Sequence, residues 1–167
     1  MYLTGLNQPQ RGRWVIYLSL IVGLVLMLLP LPAGLSVWRP AWLLLILIYW
    51  TPAVSGRLGI SAAWGFGLLL DIVTGALAGQ HALVFSLVVY LGRVLYPRFQ
   101  VYPLWRQLMA VASLLGVYFM ALLAILWLIQ PLPSAQVFWA PGVASVVVWP
   151  VVFVILSDLR RRYQVSS

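Results

Sequence analysis

Residues 104–129 read LWRQLMAVASLLGVYFMALLAILWLI. This run is longer than the roughly 20 apolar residues that a helix needs to cross the hydrocarbon core of a bilayer. Its only charged residue, Arg106, lies at its beginning. The stretch therefore predicts a membrane-spanning α-helix that is long enough to tilt.

The rest of the chain has the same character. Of its 167 residues, 64% are hydrophobic and only 7% are charged, whereas soluble domains average about 25% charged residues. Six apolar runs qualify, or nearly qualify, as spans: 14–31, 41–54, 60–78, 81–96, 104–129 and 137–157. The second covers only about 21 Å of a core of about 30 Å, so it is a short span or partly re-entrant.

These runs predict an all-α membrane protein with six transmembrane helices. The single transmembrane domain occupies 14–157, between a cytoplasmic segment at 1–13 and a basic cytoplasmic tail at 158–167. Cytoplasmic loops carry the excess of basic residues in membrane proteins. With both termini in the cytoplasm, nine of the ten arginines lie on the cytoplasmic side and only Arg39 lies outside. The arginines are scattered between apolar runs and form no basic face, so nucleic acid is not an expected partner.

Asp71 interrupts the apolar pattern near the middle of the predicted third span, where a carboxylate costs about 3 kcal/mol or more. Ala63, Gly67, Asp71, Gly75 and Gly79 recur every four residues, and such small-residue faces let another helix approach closely in lipid. Three roles for Asp71 remain open. It could be an interhelical hydrogen-bond or charge partner, a docking site for another protein's helix, or a proton or ion relay, although relays usually need several ionisable groups.

Two further polar residues lie in the predicted fourth span. If the third and fourth spans turn at 79–80, Asp71 and Arg93 differ in depth by only about 6 Å, which predicts an ion pair between them. Alternatively, Arg93 extends to the inner headgroups. His81 follows the turn and lacks carboxylate or cysteine companions in the sequence, so we expect hydrogen bonds at the outer corner rather than a metal site.

The chain lacks the residue patterns of common catalytic sites. It has no cysteine, no HExxH, no phosphate-binding glycine loop, no Ser/His/Asp set and no pair of carboxylates spaced for acid–base chemistry. The sequence therefore indicates a non-catalytic subunit without a cofactor or metal ion.

The stretch 38–50, WRPAWLLLILIYW, resembles the RP-x-W-x-LLLLIYW signature of the rod shape-determining protein MreD family. The stretch 63–71, AWGFGLLLD, fits the same family pattern. Further matching positions are Pro52, Arg57, Gly59, Gly75, Gly79, 81–83, 90–91, Leu104, Trp105, Gln107 and 149–150. Arg106 departs from the pattern, because the family's W-Q-Q sequence has a glutamine there.

The resemblance implies a non-catalytic inner-membrane subunit of the bacterial cell-elongation complex. Such a subunit binds the bitopic protein MreC directly. It helps to couple MreB filaments to peptidoglycan synthesis by RodA and the elongation penicillin-binding transpeptidase, and so to rod shape. The family is also similar in architecture to S-components of energy-coupling-factor transporters. A small-solute-binding membrane protein is therefore the alternative, with a polar lining drawn from Asp71, Thr74, Gln80, His81 and Ser86.

The candidate contact residues fall into three groups. For MreC we expect the glycine face of the third span and the outer end of the second: Trp38, Arg39, Pro40, Trp42, Gly67, Asp71, Gly75 and Gly79. A structural polar role is expected for Asp71, Arg93 and His81. Contacts with MreB or anionic lipid are expected from the loop before the fifth span: Arg98, Trp105, Arg106 and Gln107. The basic run 160–162 is also expected to attract anionic lipid.

Overall fold

A computed structural model describes residues 13–30, 32, 38–52, 56–98, 101–128 and 135–163. Six α-helices make up the regular structure of these residues: α1 Arg13–Leu28, α2 Trp42–Trp50, α3 Gly56–Thr74, α4 Gln80–Leu95, α5 Leu104–Trp127 and α6 Ala135–Arg162. The predicted all-α class is confirmed, and each predicted span contains one helix. α2 is shorter than its apolar run, and α6 continues into the segment expected to be a tail.

The helices have the composition of a membrane protein. α5 and the part of α6 at Trp139–Arg162 are each long and apolar enough to cross a membrane. The helical segments Trp14–Leu28, Gly59–Thr74 and Gln80–Leu95 are apolar but shorter.

α2 forms the centre of the bundle. Every residue from Leu43 to Trp50 is buried, as expected for a helix that is hydrophobic on all sides and therefore needs neighbours around it. Its neighbours are α1, α4 and α6. With nine residues it is only about 14 Å long. Both of its ends lie among other parts of the protein, because the flanking residues Ala41 and Thr51 are buried.

Two buried serines satisfy polar groups at the ends of α2. The indole Nε1–H of Trp50 donates to the Ser19 hydroxyl of α1 at 2.9 Å. The backbone N–H of Ala41 donates to the Ser145 hydroxyl of α6, also at 2.9 Å. Both hydroxyls in turn donate to carbonyl oxygens of their own helices, at 2.7 and 2.6 Å. Because unsatisfied polar groups are costly in an apolar environment, these serines fix α2 between α1 and α6.

Successive helices run antiparallel. Trp50, at the end of α2, lies beside Ser19 near the start of α1. The Phe85 and Tyr118 rings link α4 to α5 with centroids 5.8 Å apart, and Phe119 of α5 lies against Gly142 of α6.

The first and last helices therefore share one end of the bundle, which we call the Trp14 end. The Trp14 ring meets the Tyr163 ring edge-to-face there, with centroids 5.1 Å apart. The opposite end, where α4 begins, we call the His81 end. Among the described arginines, Arg39 lies at the His81 end, and the following lie at the Trp14 end: Arg93, Arg98, Arg106, Arg160, Arg161 and Arg162.

Gly67 allows α3 and α4 to pack closely. A Cβ atom at this position would lie 2.5 Å from the Ala82 Cα of α4, nearer than two non-bonded carbon atoms can approach. Gly65 lies on the outer side of α3, where a Cβ atom would meet nothing within 4 Å. The two glycines, two residues apart, therefore differ completely in their environment.

Gly67→Ala should lower the free energy of unfolding by about 3 kcal/mol, because the new methyl group meets backbone that cannot move aside. Gly65→Ala is the matched control and should be neutral or stabilising by up to about 1 kcal/mol, because alanine favours helix. Denaturant titration in mild detergent measures both. Equal effects of the two substitutions would contradict the described packing.

Candidate functional site

Asp71 lies in the last turn of α3, three residues before Thr74, and not near the middle of the span as the sequence suggested. α3 ends there because Gly75 adopts the left-handed conformation, with φ 66°. The N–H of Ala76 donates back to the Asp71 carbonyl oxygen at 3.0 Å, as in a Schellman motif. Gly75 is therefore a helix-ending residue and not part of a continuous small-residue face.

The buried Asp71 side chain is surrounded by donors from the next helix. Its Oδ2 accepts hydrogen bonds from the Gly79 N–H at 3.0 Å and the Ala82 N–H at 3.4 Å. Its Oδ1 accepts the His81 N–H at 3.0 Å and lies 2.7 Å from His81 Nδ1. A carboxylate offers about four acceptor positions, and all of them are used here. This network compensates for the burial of the carboxylate.

Asp71 acts as the N-cap of a helix to which it does not belong. The N-cap position of α4 is Gly79, which has φ 96° and no side chain. The Asp71 carboxylate accepts from the N–H groups of His81 and Ala82, which an N-cap side chain would otherwise bind. Its negative charge also faces the positive end of the α4 dipole. The last turn of α3 is thereby fastened to the first turn of α4.

The His81 ring connects the turn between α3 and α4 to the aromatic side chains of Phe85 and Tyr118. An ionised carboxylate can only accept hydrogen bonds, so Nδ1 carries the proton in the contact with Asp71. The ring centroid of His81 lies 5.8 Å from that of Phe85 and 6.5 Å from that of Tyr118. The sequence placed His81 without a carboxylate companion, but the fold supplies Asp71. Within the described residues, no three histidine, cysteine or acidic side chains form a group that could hold a metal ion.

The structure does not bring Arg93 to Asp71. Arg93 lies in the last turn of α4, eleven residues beyond the Ala82 amide that contacts the carboxylate, which is about 16 Å along the helix. That distance exceeds the reach of an arginine side chain. The predicted ion pair therefore does not form, because the carboxylate lies level with the start of α4 and not with its middle.

Gly67 and Asp71, two residues expected to contact MreC, are instead covered by α4. Gly75 and Gly79 lie in the turn that connects the two helices. The glycine face of α3 is thus an internal contact. The face appeared continuous in the sequence because two turn glycines happen to continue its spacing of four.

Arg39, just before the start of α2, bonds to the end of α1. Its two terminal nitrogens donate to the carbonyl oxygens of Met27, at 2.6 Å, and Leu29, at 2.5 Å. Carbonyl groups at the end of a helix lack partners within the helix, and a cation there also interacts favourably with the helix dipole. Arg39 therefore stabilises the end of α1. The neighbouring Trp38 remains 54% exposed, while Pro40 and Trp42 are partly buried.

The loop before α5 divides into exposed and buried residues. Arg98 and Arg106 are exposed, and the Arg106 guanidinium carbon lies 5.2 Å from the centroid of the exposed Trp105 ring. Gln107 is buried, and its side-chain Nε2 donates to the Tyr102 carbonyl oxygen at 2.8 Å. Gln107 therefore supports the loop from inside and is not placed to touch a partner, contrary to expectation.

Comparison with known proteins connects these features to a family. The family model for the rod shape-determining protein MreD matches residues 9–159. The chain is also 33% identical over 156 residues to the rod shape-determining protein MreD of Haemophilus influenzae. The aligned region covers 90% of this chain and 93% of that protein. The chain belongs to the MreD family of rod shape-determining proteins. No solved structure matches it. MreD proteins are membrane proteins, in agreement with the apolar helices described here.

Asp71→Asn should lower the free energy of unfolding by about 2–3 kcal/mol, because hydrogen bonds to a charged acceptor are lost and an amide NH₂ must face backbone donors. Asp158→Asn is the control, since Asp158 is the chain's other carboxylate. It forms an exposed pair with Arg162 at 2.8 Å, and such pairs contribute about 0–1 kcal/mol. Unfolding in detergent measures the difference. An Asp71→Asn protein as stable as the Asp158→Asn protein would contradict the capping role.

Proposed function

We propose that this protein is a non-catalytic, multi-pass subunit of the bacterial cell-elongation complex in the inner membrane. In this role it binds MreC directly and helps to couple MreB filaments to wall synthesis by RodA and the elongation penicillin-binding transpeptidase. The observation that carries the proposal is the family match over residues 9–159. Rod shape is what the family's name describes, and the molecular partners are inferred.

The proposed topology has six crossings with both ends in the cytoplasm. Three observations support it: the helices alternate in direction, Trp14 contacts Tyr163, and most described arginines lie at the Trp14 end. Basic residues favour the cytoplasmic side, so the Trp14 end is assigned there. α2 spans only part of the membrane as a helix, and its buried ends are tolerated because protein surrounds them.

The internal hydrogen bonds favour a structural subunit over a solute carrier. Of the polar residues considered for a solute site, Asp71 bonds to the start of α4. The Thr74 hydroxyl donates to the Leu70 carbonyl oxygen, and the Ser86 hydroxyl donates to the Ala82 carbonyl oxygen, both at 2.7 Å. Side chains that are already bonded within the chain offer little to a polar ligand.

Trp38 is the residue that we assign to the MreC contact. It is a large apolar side chain, more than half exposed, at the end of the bundle that faces the periplasm in the proposed topology. Its position is fixed by the neighbouring Arg39, which bonds to α1. Exposed tryptophans on well-ordered backbone are frequent energetic centres of interfaces. Trp38 therefore replaces the buried Gly67 and Asp71 as the residue expected to meet MreC.

Trp38→Ala should reduce the MreC recovered with the tagged protein by ten-fold or more, because a central tryptophan contributes about 2 kcal/mol or more to an interface. Trp127→Ala is the matched control, since Trp127 is 70% exposed at the same end. Co-purification from membranes in mild detergent gives the comparison. Equal recovery of MreC with both variants would contradict the assignment.

The shape function is tested in a rod-shaped bacterium depleted of its own MreD. Expression of this protein should keep the cells rod-shaped, whereas depletion without it should produce round cells. If depleted cells become round although they express this protein, or remain rods without it, the proposed role in elongation is contradicted.

A further inference from the structure

A second exposed surface lies at the Trp14 end, between α4 and α5. We call it the α4–α5 rim and define it by Arg98, Val101, Leu104, Trp105 and Arg106. All five side chains are exposed, with Val101 exposed to 82% and Trp105 to 57%. In sequence order, two permanent positive charges, Arg98 and Arg106, therefore flank three large apolar side chains.

The rim is held in place by its own hydrogen bonds. The Val101 N–H donates to the Arg98 carbonyl oxygen at 3.0 Å, and the Arg106 N–H donates to the Pro103 carbonyl oxygen at 2.9 Å. The buried Gln107 side chain donates to the Tyr102 carbonyl oxygen beneath them. Leu104, Trp105 and Arg106 belong to the first turn of α5, so these three side chains stay at the start of that helix.

The charge of the rim is not neutralised by acidic residues. The chain contains only two: Asp71 is bonded at the opposite end of the bundle, and Asp158 pairs with Arg162 of α6. The first turn of α5 contains no acidic residue, and the start of a helix adds a partial positive charge. The rim is thus complementary to an anion, and its guanidinium at Arg106 is oriented over the Trp105 ring.

We infer that the α4–α5 rim binds the headgroup of an anionic phospholipid. Arg98 and Arg106 meet the phosphate, while Val101, Leu104 and Trp105 insert at the boundary between headgroups and acyl chains, where amphipathic aromatic rings are favoured. This inference rests on the membrane placement in the proposed function. The three exposed apolar side chains between the two arginines favour lipid over an MreB filament, because a filament site would need to project into the cytoplasm.

The test is a titration of fluorescent phosphatidylglycerol into the purified full-length protein in a neutral detergent. An arginine beside an anionic surface contributes about a five-fold gain in affinity. Arg106→Gln should therefore raise the dissociation constant about five-fold, and Arg98→Gln/Arg106→Gln about 25-fold. Trp105→Leu should weaken binding while leaving the charge unchanged. Fluorescent phosphatidylcholine should bind with little dependence on either arginine.

Arg161→Gln/Arg162→Gln is the matched control, because it removes the same charge at the same end of the bundle but outside the rim. Although the run 160–162 is also expected to attract anionic lipid, Arg162 is already paired with Asp158, so this variant should raise the dissociation constant less than about five-fold. Equal weakening by both double variants would show that binding follows net charge and would overturn the assignment. Displacement of the lipid by millimolar inorganic phosphate, or loss of MreB binding with unchanged lipid binding in the rim variant, would also overturn it. No other rod-complex protein is present in the lipid titration, so failure of the MreC contact does not affect its outcome.

Discussion

The structure depends on one buried carboxylate and the donors around it. A charge among apolar helices is tolerated only when it is fully hydrogen-bonded or paired, and Asp71 meets this requirement with three backbone N–H groups and the His81 ring. Because those donors belong to the turn and first residues of α4, the requirement fixes the end of α3 against the start of α4. The missing Cβ of Gly67 then allows the two helices to approach closely.

Other polar side chains also bond to groups of the chain itself, although Arg39 Nε and Gln107 Oε1 are buried without a hydrogen-bond partner among the described residues. Ser19 and Ser145 hold the ends of the central helix α2, Arg39 caps α1, and Gln107 supports the loop before α5. Each of these side chains is used to satisfy a group of the chain itself. Many side chains remain exposed on the bundle, and the two surfaces that we assign to partners are Trp38 at one end and the α4–α5 rim at the other. This arrangement favours the proposed action through surfaces over the alternative of an internal solute site.

Local properties of the sequence predicted a large part of this fold. Apolar runs gave the helical class and the position of each helix, because the length and composition of a run are sufficient for that purpose. The grouping of arginines followed from the alternation of those runs. The burial of α2 was not predictable in the same way. A run that is apolar on every side has no periodicity that distinguishes a lipid-facing helix from one enclosed by protein.

The prediction of a continuous small-residue face through the turn between α3 and α4 was wrong for an identifiable reason. Gly75 and Gly79 continue the spacing of four from Gly67, so they suggested a longer helix, although their left-handed backbone ends α3 and begins α4. A glycine directly after Thr74 was the available signal for a helix end. The partners of Asp71 depend on where the chain turns back, which the residue spacing alone did not determine. The burial of Gln107 depends in the same way on how the loop folds beneath it.

Hydrogen–deuterium exchange at the start of α4 tests the central claim most directly. If Asp71 caps this helix, the N–H groups of residues 79, 81 and 82 should exchange slowly in the native protein. They should exchange at least ten-fold faster in Asp71→Ala, while amides in the middle of α5 stay protected. Rapid exchange at these three amides in the native protein, or rates that the substitution leaves unchanged, would contradict the claim that this carboxylate joins α3 to α4.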